Sequence, residues 1–312
     1  MKKYKYDLED KIYNTNFKYK GILNLPNNII FGTELEFSNA LYNNVLENLT
    51  AYQKNGMFID YRIDIDETVV EMINKFPFGG EIKTPKLNDS IKSWKEIKQI
   101  CTILKKLGGL CNVNCGEHIH FDINIFKNNS QYIMNFFKLW TVFEDIIFMF
   151  SCGENDKLRN NINRYSREIG RDIFILLNSS TTKDKSIYEL RDIIHKSYYR
   201  NKQNTIRFTE FNTMEIRTPA GTLNHIIIQN NILFFSKLIL YSCSKNFNEE
   251  LINNMFKNYD KNKRVFEKYK NLDIERATLL ANLIYDEEQD KLHFLKQYLK
   301  LFNKNDEKVL IK

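Results

Sequence analysis

The chain has few of the residues that interrupt regular structure and few that stabilise small secreted domains. Its 312 residues include only four prolines and 11 glycines, which argues against long disordered linkers. Its five cysteines are an odd number and form no Cys-x-x-Cys pair, which argues against a disulfide framework and a zinc knuckle. We therefore expect free thiols in a cytoplasmic protein.

Long uninterrupted apolar runs are also missing. The two most apolar stretches, 132–150 and 226–243, contain polar and charged residues such as Lys138, Glu144 and Lys237. A membrane-spanning helix needs about 20 predominantly apolar residues, so neither stretch is predicted to cross a membrane. The first ten residues are charged and lack the apolar core of a signal peptide.

Charge of one sign does not dominate. The formal net charge is +7, from 46 basic and 39 acidic residues, which is compatible with an anionic ligand such as a nucleotide. The lysines are interleaved with acidic residues and form no basic arm, so nucleic-acid binding is not expected. No glycine-rich phosphate loop is present either. A bound nucleotide would need cations and arginines to hold its phosphates.

What the chain does have is enough apolar residues, 43% of the total, for a sizeable core. Alternating strands are predicted at 28–38, 57–66, 78–84, 117–125, 205–211 and 213–218. Helices are predicted at 41–54, 89–107, 130–150, 187–198, 222–244, 274–285 and 292–302. This pattern is typical of a half-buried sheet covered by helices on one side, with a concave, charged surface on the other.

Three tripeptides share one arrangement, two polar side chains around an apolar one. They are Glu34-Leu35-Glu36, His118-Ile119-His120 and Glu215-Ile216-Arg217. Successive side chains of a strand point to opposite faces, so the outer two residues of each tripeptide share a face and the middle one points into the core. Asp64, Asp66, Glu81 and Arg207 extend the polar face by the same alternation. Together these residues indicate a metal and phosphate site.

Each tripeptide taken alone has a second explanation. The two glutamates lie roughly 6–7 Å apart, where a divalent cation would relieve their repulsion, or they form a solvated strand face. The two histidines are metal ligands or surface residues. The Glu-x-Arg pair binds a cation and a phosphate, or it is a simple ion pair.

Five segments in order resemble the motifs of one family. The segments begin at Phe31, Asp66, Gly80, Asn114 and Thr213. In that order, they resemble five motifs of the amidoligase family. These are the opening motif, the Asp-x-Ser/Thr motif, the Glu-x-x-Ser-Pro motif (with Thr84 in place of Ser), the Cys-Gly-x-His-x-His motif and the closing Glu-x-Arg…Gly-Thr motif. That family is a branch of the glutamine synthetase and glutamate–cysteine ligase superfamily. The resemblance covers residues 30 to 240, approximately.

The resemblance implies an α+β fold, with a curved, mainly antiparallel sheet whose concave polar face holds ATP and divalent cations and whose other face is packed with helices. It also implies that ATP phosphorylates a carboxylate and that an amine displaces the phosphate to form an amide. We expect a loosely structured N-terminal lead-in at 1–28, the catalytic domain at 29–244, and a helical extension at 245–312 packed on the same domain.

The resemblance also assigns roles to residues. The implied ligands of Mg²⁺ or Mn²⁺ are Glu34, Glu36, Glu81, His118 and Glu215. Arg217 would neutralise the transferring phosphoryl group, and Arg207 would contact phosphate. His120 would face phosphates or substrate, and Asp66 would orient or deprotonate the amine. The substrates would be ATP with a small-molecule or peptide carboxylate and an amine.

Two other functions stay open at this point. One is a metal-dependent hydrolase that uses the His-x-His and carboxylate face, and the other is a non-catalytic protein that binds nucleotide or metal. Since acyl phosphates hydrolyse easily, a ligase site should exclude water, and the polar segment 151–204 is predicted to form a lid.

Overall fold

The computed structural model describes residues 2–154, 166–182, 185–197, 203–262 and 272–301. Within these residues the fold combines helices with one open antiparallel sheet, which confirms the predicted α+β class. The strands are β1 (Phe31–Leu41), β2 (Arg62–Asp64), β3 (Glu71–Ile73), β4 (Phe76–Lys83), β5 (Glu117–Asp122), β6 (Ile206–Phe208) and β7 (Thr213–Ile216). Their spatial order is β2-β4-β1-β5-β7-β6, and β3 pairs with the outer part of β4.

Ten α-helices accompany the sheet in the described part of the chain. They are α1 (Lys2–Asn14), α2 (Tyr42–Lys54), α3 (Ile91–Lys106), α4 (Ser130–Ser151), α5 (Gly170–Leu177), α6 (Ile187–Ser197), α7 (His225–Ser242), α8 (Glu249–Lys257), α9 (Ile274–Ile284) and α10 (Glu288–Tyr298). The two most apolar helices, α4 and α7, are each preceded by an asparagine, and the side chain of that asparagine accepts a backbone N–H group of the first turn.

The strands bury one face against these helices. Leu35, Ile82 and Ile119 occupy successive strands and are at most 1% exposed, as the alternation predicts. Trp94 of α3 stacks on Phe31 with ring centroids 5.4 Å apart. Burial of each such side chain stabilises the fold by about 1.5–3 kcal/mol. The opposite face of the sheet is therefore left to the polar side chains.

The C-terminal helices belong to the same core. Phe294 of α10 lies 5.2 Å from Phe150 and 5.1 Å from Phe234 between ring centroids. Gln297, also on α10, donates to Asn231 of α7 at 2.8 Å. The described part of the helical extension thus supports the apolar side of the domain.

The N-terminal segment is more ordered than the sequence indicated. Residues Lys2–Asn14 form α1, and the backbone N–H groups of Leu23 and Leu25 donate to the Asp89 carboxylate at 2.9 and 2.8 Å. Leu23 and Leu25 are themselves buried. The prediction of a loosely structured lead-in at 1–28 was therefore wrong for these residues.

The strand predicted at 57–66 is also corrected. Only Arg62–Asp64 pairs with β4, because Phe58 and Asp60 adopt left-handed backbone angles, with φ of 51° and 64°, that an extended strand does not allow. Ile59 is consequently 53% exposed and does not join the core. Asp66 lies beyond the strand, in a turn.

The segment predicted to form a lid, 151–204, lies partly outside the described residues. Its described part includes α5 and α6, which pack beside α4. The buried Glu144 carboxylate of α4 accepts the backbone N–H groups of Ile169 and Gly170 at 2.7 and 2.9 Å, at the start of α5. A lid stays a prediction, since residues 155–165, 183–184 and 198–202 are not described.

Candidate metal centre

The central strand β1 carries the two glutamates of the first tripeptide. It pairs with β4 on one side and β5 on the other. The register sets Glu36 opposite Glu81, and Glu34 opposite both Lys83 and His118. Paired residues of an antiparallel sheet point to the same face. The sheet therefore brings together side chains that are far apart in the sequence.

The imidazole of His118 lies at the centre of four carboxylates. Its Nδ1 is 3.0 Å from Oε2 of Glu34, 3.6 Å from Oε1 of Glu215 and 3.8 Å from Oε1 of Glu81. Its Nε2 is 3.4 Å from Oε1 of Glu36. All five residues predicted as metal ligands thus meet at one point of the polar face.

The site is buried, and this perturbs its acids in opposite directions. Burial and the charge of Glu34 raise the pKa of Glu81 to about 8, against the opposing effect of Lys83. Burial also acts to raise the pKa of Glu34, but the contacts with the imidazoles of His118 and His120 outweigh it and hold that pKa below its ordinary value. Carboxylates that differ in this way within one cluster are typical of functional sites.

The donor set fits a divalent cation. Three groups each offer ligand atoms within 4.8 Å of one another: Glu34 with Glu81 and His118, Glu34 with His120 and Glu215, and Glu36 with Asp66 and Glu81. The Nε2 atoms of His118 and His120 are buried and make no hydrogen bond within the described residues, although carboxylate oxygens lie 3.4 and 3.3 Å away. Carboxylate oxygens suit Mg²⁺ and Mn²⁺, and imidazole nitrogens suit transition-metal ions.

Two arginines border the acidic cluster. The guanidinium groups of Arg207 on β6 and Arg217 just after β7 each contact one carboxylate oxygen of Glu215. Burial acts to raise the pKa of Glu215, but the neighbouring histidines and arginines outweigh it and lower that pKa. Nη1 of Arg217 also lies 3.5 Å from Nδ1 of His118. The ion pair that the sequence offered as one alternative is present, and the binding of a cation and a phosphate by Glu215 and Arg217 stays a prediction.

The predicted residue Asp66 reaches the cluster from a turn. One of its oxygens lies near those of Glu36 and Glu81, and its Oδ1 accepts the backbone N–H and the hydroxyl of Thr68 at 2.8 and 2.6 Å. On the other side of β1, the N–H of Gly116 donates to Oε2 of Glu36 at 2.5 Å. These local contacts fix the carboxylates on the Glu36 side of the site.

A cleft of about 390 Å³ opens on the other side of the cluster, beside Glu34 and His120. It has the size of a small-molecule site. Basic side chains (Arg62, Lys83, Lys86), acidic ones (Asp60, Asp122) and the exposed ring of Phe211 line it. His120 at its border is oriented by Thr213, whose hydroxyl lies 3.2 Å from Nδ1. The cleft offers space for a charged ligand next to the candidate metal centre.

Sequence reasoning gave no role to Lys83, which the structure places in the site. Its Nζ lies 2.9 Å from Glu81, 3.1 Å from Asp64 and 3.9 Å from Glu34. A signal was available, because Glu81-Ile82-Lys83 repeats the pattern of the three tripeptides, with two charged side chains around an apolar one.

Another carboxyl group lies behind the site, on the core face of β5. Glu117 is fully buried, and its oxygens accept the amide of Asn231 at 2.7 Å and the hydroxyl of Thr33 at 3.4 Å. Burial raises its pKa to about 8, despite these two hydrogen bonds. Sequence alternation places this residue on the apolar face, but it does not reveal the partner on α7.

Comparison with known proteins agrees with this arrangement. The family model described as "putative amidoligase enzyme" matches residues 27–239, well over half of the chain. The chain belongs to this family. Membership in the amidoligase family indicates an enzyme of ligase type that acts on small-molecule substrates. The matched residues include all seven described strands and every residue of the candidate metal centre.

Two further findings complete the comparison. No curated protein matches the chain. Among the described helices, none combines the length and the apolar character that a membrane crossing requires.

Proposed function

We propose that the protein is an ATP- and divalent-metal-dependent ligase that joins a carboxylate to an amine through an acyl phosphate. Its sheet would then belong to a glutamine synthetase-like catalytic domain. The observation that carries the proposal is His118 within reach of four carboxylates, next to two arginines and a charged cleft. Membership in the amidoligase family supports the reaction class.

The metal would be held by the residues around His118. The proposed ligands are Glu34, Glu36, Glu81, His118 and Glu215. A bound Mg²⁺ or Mn²⁺ would neutralise the crowded carboxylates and the phosphates of ATP. Because free carboxylates at this density repel one another, binding of a cation should also stabilise the folded chain.

The arginines would hold the phosphates. In phosphoryl transfer, negative charge spreads over the equatorial oxygens of the transferred group, and fixed cationic groups stabilise it. Arg217 lies beside His118 and would neutralise this group, whereas Arg207 on the outer strand would contact a neighbouring phosphate. His120, at the border of the cleft, would face phosphate or substrate.

The proposed reaction has two steps. A carboxylate oxygen of the acid attacks the γ-phosphorus of ATP and ADP leaves; the amine nitrogen then attacks the acyl carbon and inorganic phosphate leaves. The amine must lose a proton, and Asp66 is the proposed acceptor. Asp66 lies at the Glu36 side of the cluster, whereas the cleft opens at the Glu34 side, so the amine would approach from the side opposite the cleft.

Release of ADP tests the proposal. The protein would be incubated with ATP, Mg²⁺ or Mn²⁺, and pools of amino acids, polyamines and peptides. ADP formation that requires both a metal and a substrate pool is expected, followed by identification of the amide product. A protein that retains Zn²⁺ tightly, binds no nucleotide and hydrolyses substrates would contradict the proposal and favour the metal-dependent hydrolase. Nucleotide binding without turnover of any pool would favour the non-catalytic alternative.

A further inference from the structure

We infer that Lys83 is a built-in cation of the metal centre, whose ammonium group takes the place of one divalent cation between Glu34, Asp64 and Glu81. Lys83 would thereby set the number of metal ions that the site binds. This inference rests on the proposed function, because it concerns the ions that the proposed ligase requires.

The position of Lys83 follows from the sheet register. β4 lies between β1 and β2, and Lys83 pairs with Glu34 on one side and with Arg62 on the other. The neighbouring pair on the same face is Glu81 with Asp64. Three strands therefore each direct one carboxylate towards the same ammonium group.

Distances show that carboxylate oxygens surround the ammonium group as they would surround a metal ion. Nζ lies 2.9 Å from Oε2 of Glu81 and 3.1 Å from Oδ2 of Asp64, both at hydrogen-bond length, and 3.9 Å from Oε1 of Glu34. An ammonium group has three hydrogen-bond donors, and three carboxylates face it. The positive charge compensates acids that would otherwise repel one another.

The decisive feature is the way in which two carboxylates are shared. Glu34 presents Oε1 to Lys83 and Oε2 to His118, and Glu81 presents Oε2 to Lys83 and Oε1 to His118. Each carboxylate therefore bridges two neighbouring positions. Carboxylates that bridge two cations are typical of sites with a pair of metal ions. Here one position has the imidazole and the other already contains the ammonium of Lys83.

A fixed monovalent cation changes what the site can do. Unlike a divalent ion, the charge of Lys83 does not depend on the metal concentration. Its side chain lines the cleft and is 36% exposed, so the same charge is accessible to an anionic group bound there. Replacement of Lys83 by a neutral side chain of similar length should leave three carboxylates without a compensating charge, and a divalent cation would bind between them.

The experiment counts Mn²⁺ ions per chain by equilibrium dialysis, with wild type, Lys83→Met and Lys83→Arg. Lys83→Met is expected to bind one more Mn²⁺ than wild type, because the neutral side chain vacates a carboxylate-lined position. Lys83→Arg should keep the wild-type number, because the charge is retained. Lys237→Met is the matched control, because Lys237 of α7 also forms an ion pair, with Asp286 at 3.7 Å. This variant should keep the wild-type number as well.

An equal or lower Mn²⁺ count in Lys83→Met than in wild type would overturn the inference, and so would a raised count in Lys83→Arg. If Lys83→Met fails to fold, Lys83→Gln carries the same expectation. The outcome is distinct from that of the proposed function. Wild type that binds no Mn²⁺ and no ATP would refute the ligase, yet a gain of one ion in Lys83→Met would still support the role of Lys83.

Discussion

Nδ1 of His118 lies 3.0 Å from Oε2 of Glu34, across the pair of central strands β1 and β5. The two residues are 84 positions apart in the chain, and the register of two antiparallel strands brings them together. Glu81 lies near the same Nδ1 atom, and Glu36 lies near Nε2 of the same imidazole. A site built in this way depends on the backbone that fixes the strands as much as on the side chains that face the imidazole.

Gly221→Ala is expected to destabilise the protein and disturb the Glu36 side of the candidate metal centre. A Cβ at this position would lie 2.6 Å from Cβ and 2.9 Å from the carbonyl carbon of Cys115. Cys115 precedes Gly116, whose N–H holds the Glu36 carboxylate. Overpacking of this kind costs about 1–3 kcal/mol, and displacement of Gly116 should weaken Mn²⁺ binding as well.

Thermal unfolding and Mn²⁺ titration of Gly221→Ala provide the check. Gly21→Ala is the control, because a Cβ at Gly21 would meet no atom within 4 Å and should change neither quantity. Unaltered stability and Mn²⁺ affinity in Gly221→Ala would show that the backbone at residues 115–116 does not hold the Glu36 carboxylate in place.

Glu144→Gln is expected to change the pH dependence of stability. Burial raises the pKa of Glu144 from 4.5 to about 8 in the folded protein, against hydrogen bonds from the Ile169 and Gly170 N–H groups. Between these pH values the unfolded chain has lost this proton and the folded chain keeps it, so the contribution of Glu144 to stability falls as the pH rises. The limiting slope is about 1.4 kcal/mol per pH unit.

Chemical denaturation of Glu144→Gln and wild type between pH 4.5 and 8 measures this effect. The free energy of unfolding of wild type should fall relative to that of Glu144→Gln across the window, with no further relative loss above it. The control is Glu189→Gln. In wild type, hydrogen bonds from Ser186 lower the pKa of Glu189 to about 2, so the contribution of Glu189 to stability is lost only in acid. The free energy of unfolding of Glu189→Gln should therefore differ from that of wild type by a constant amount across the window. Parallel curves for Glu144→Gln would contradict the assigned pKa.

Arg207→Ala is expected to weaken ATP binding roughly tenfold or more, which corresponds to the loss of one or two charge-assisted hydrogen bonds. Mn²⁺ binding should persist, because Arg217 still contacts Glu215. Calorimetric titration with ATP and with Mn²⁺ separates the two effects. The control is Arg191→Ala, because the Arg191 guanidinium pairs with Asp192 on α6 at 2.9 Å. This variant should bind ATP and Mn²⁺ as wild type does. Equal ATP affinity in Arg207→Ala would remove Arg207 from the proposed nucleotide site.

Side-chain alternation predicted much of the site. Because polar residues at every second position must share a face, the tripeptides around Leu35, Ile119 and Ile216 could be placed on one side of a sheet from sequence alone. The helices α4 and α7 were equally clear, because the two most apolar stretches of the chain, 132–150 and 226–243, correspond to them. The family resemblance carried by the ordered motifs is confirmed by the match over residues 27–239.

Other features depend on long-range contacts that a sequence does not display. The strand order, with β1 between β4 and β5, decides that His118 meets Glu81 as well as Glu34. Left-handed backbone at Phe58 and Asp60 shortened the second predicted strand. The shared carboxylate oxygens that give Lys83 a role follow from the register of three strands.

The most direct measurement is a calorimetric titration of ATP into the protein in the presence and absence of Mn²⁺, with wild type, Glu34→Gln and Glu215→Gln. Wild type should bind ATP only with Mn²⁺. Both variants should lose this binding while circular dichroism shows a retained fold, and the exposed Glu71→Gln on β3 should behave as wild type. Metal-dependent ATP binding that is unchanged in Glu34→Gln and Glu215→Gln would contradict a metal centre at His118.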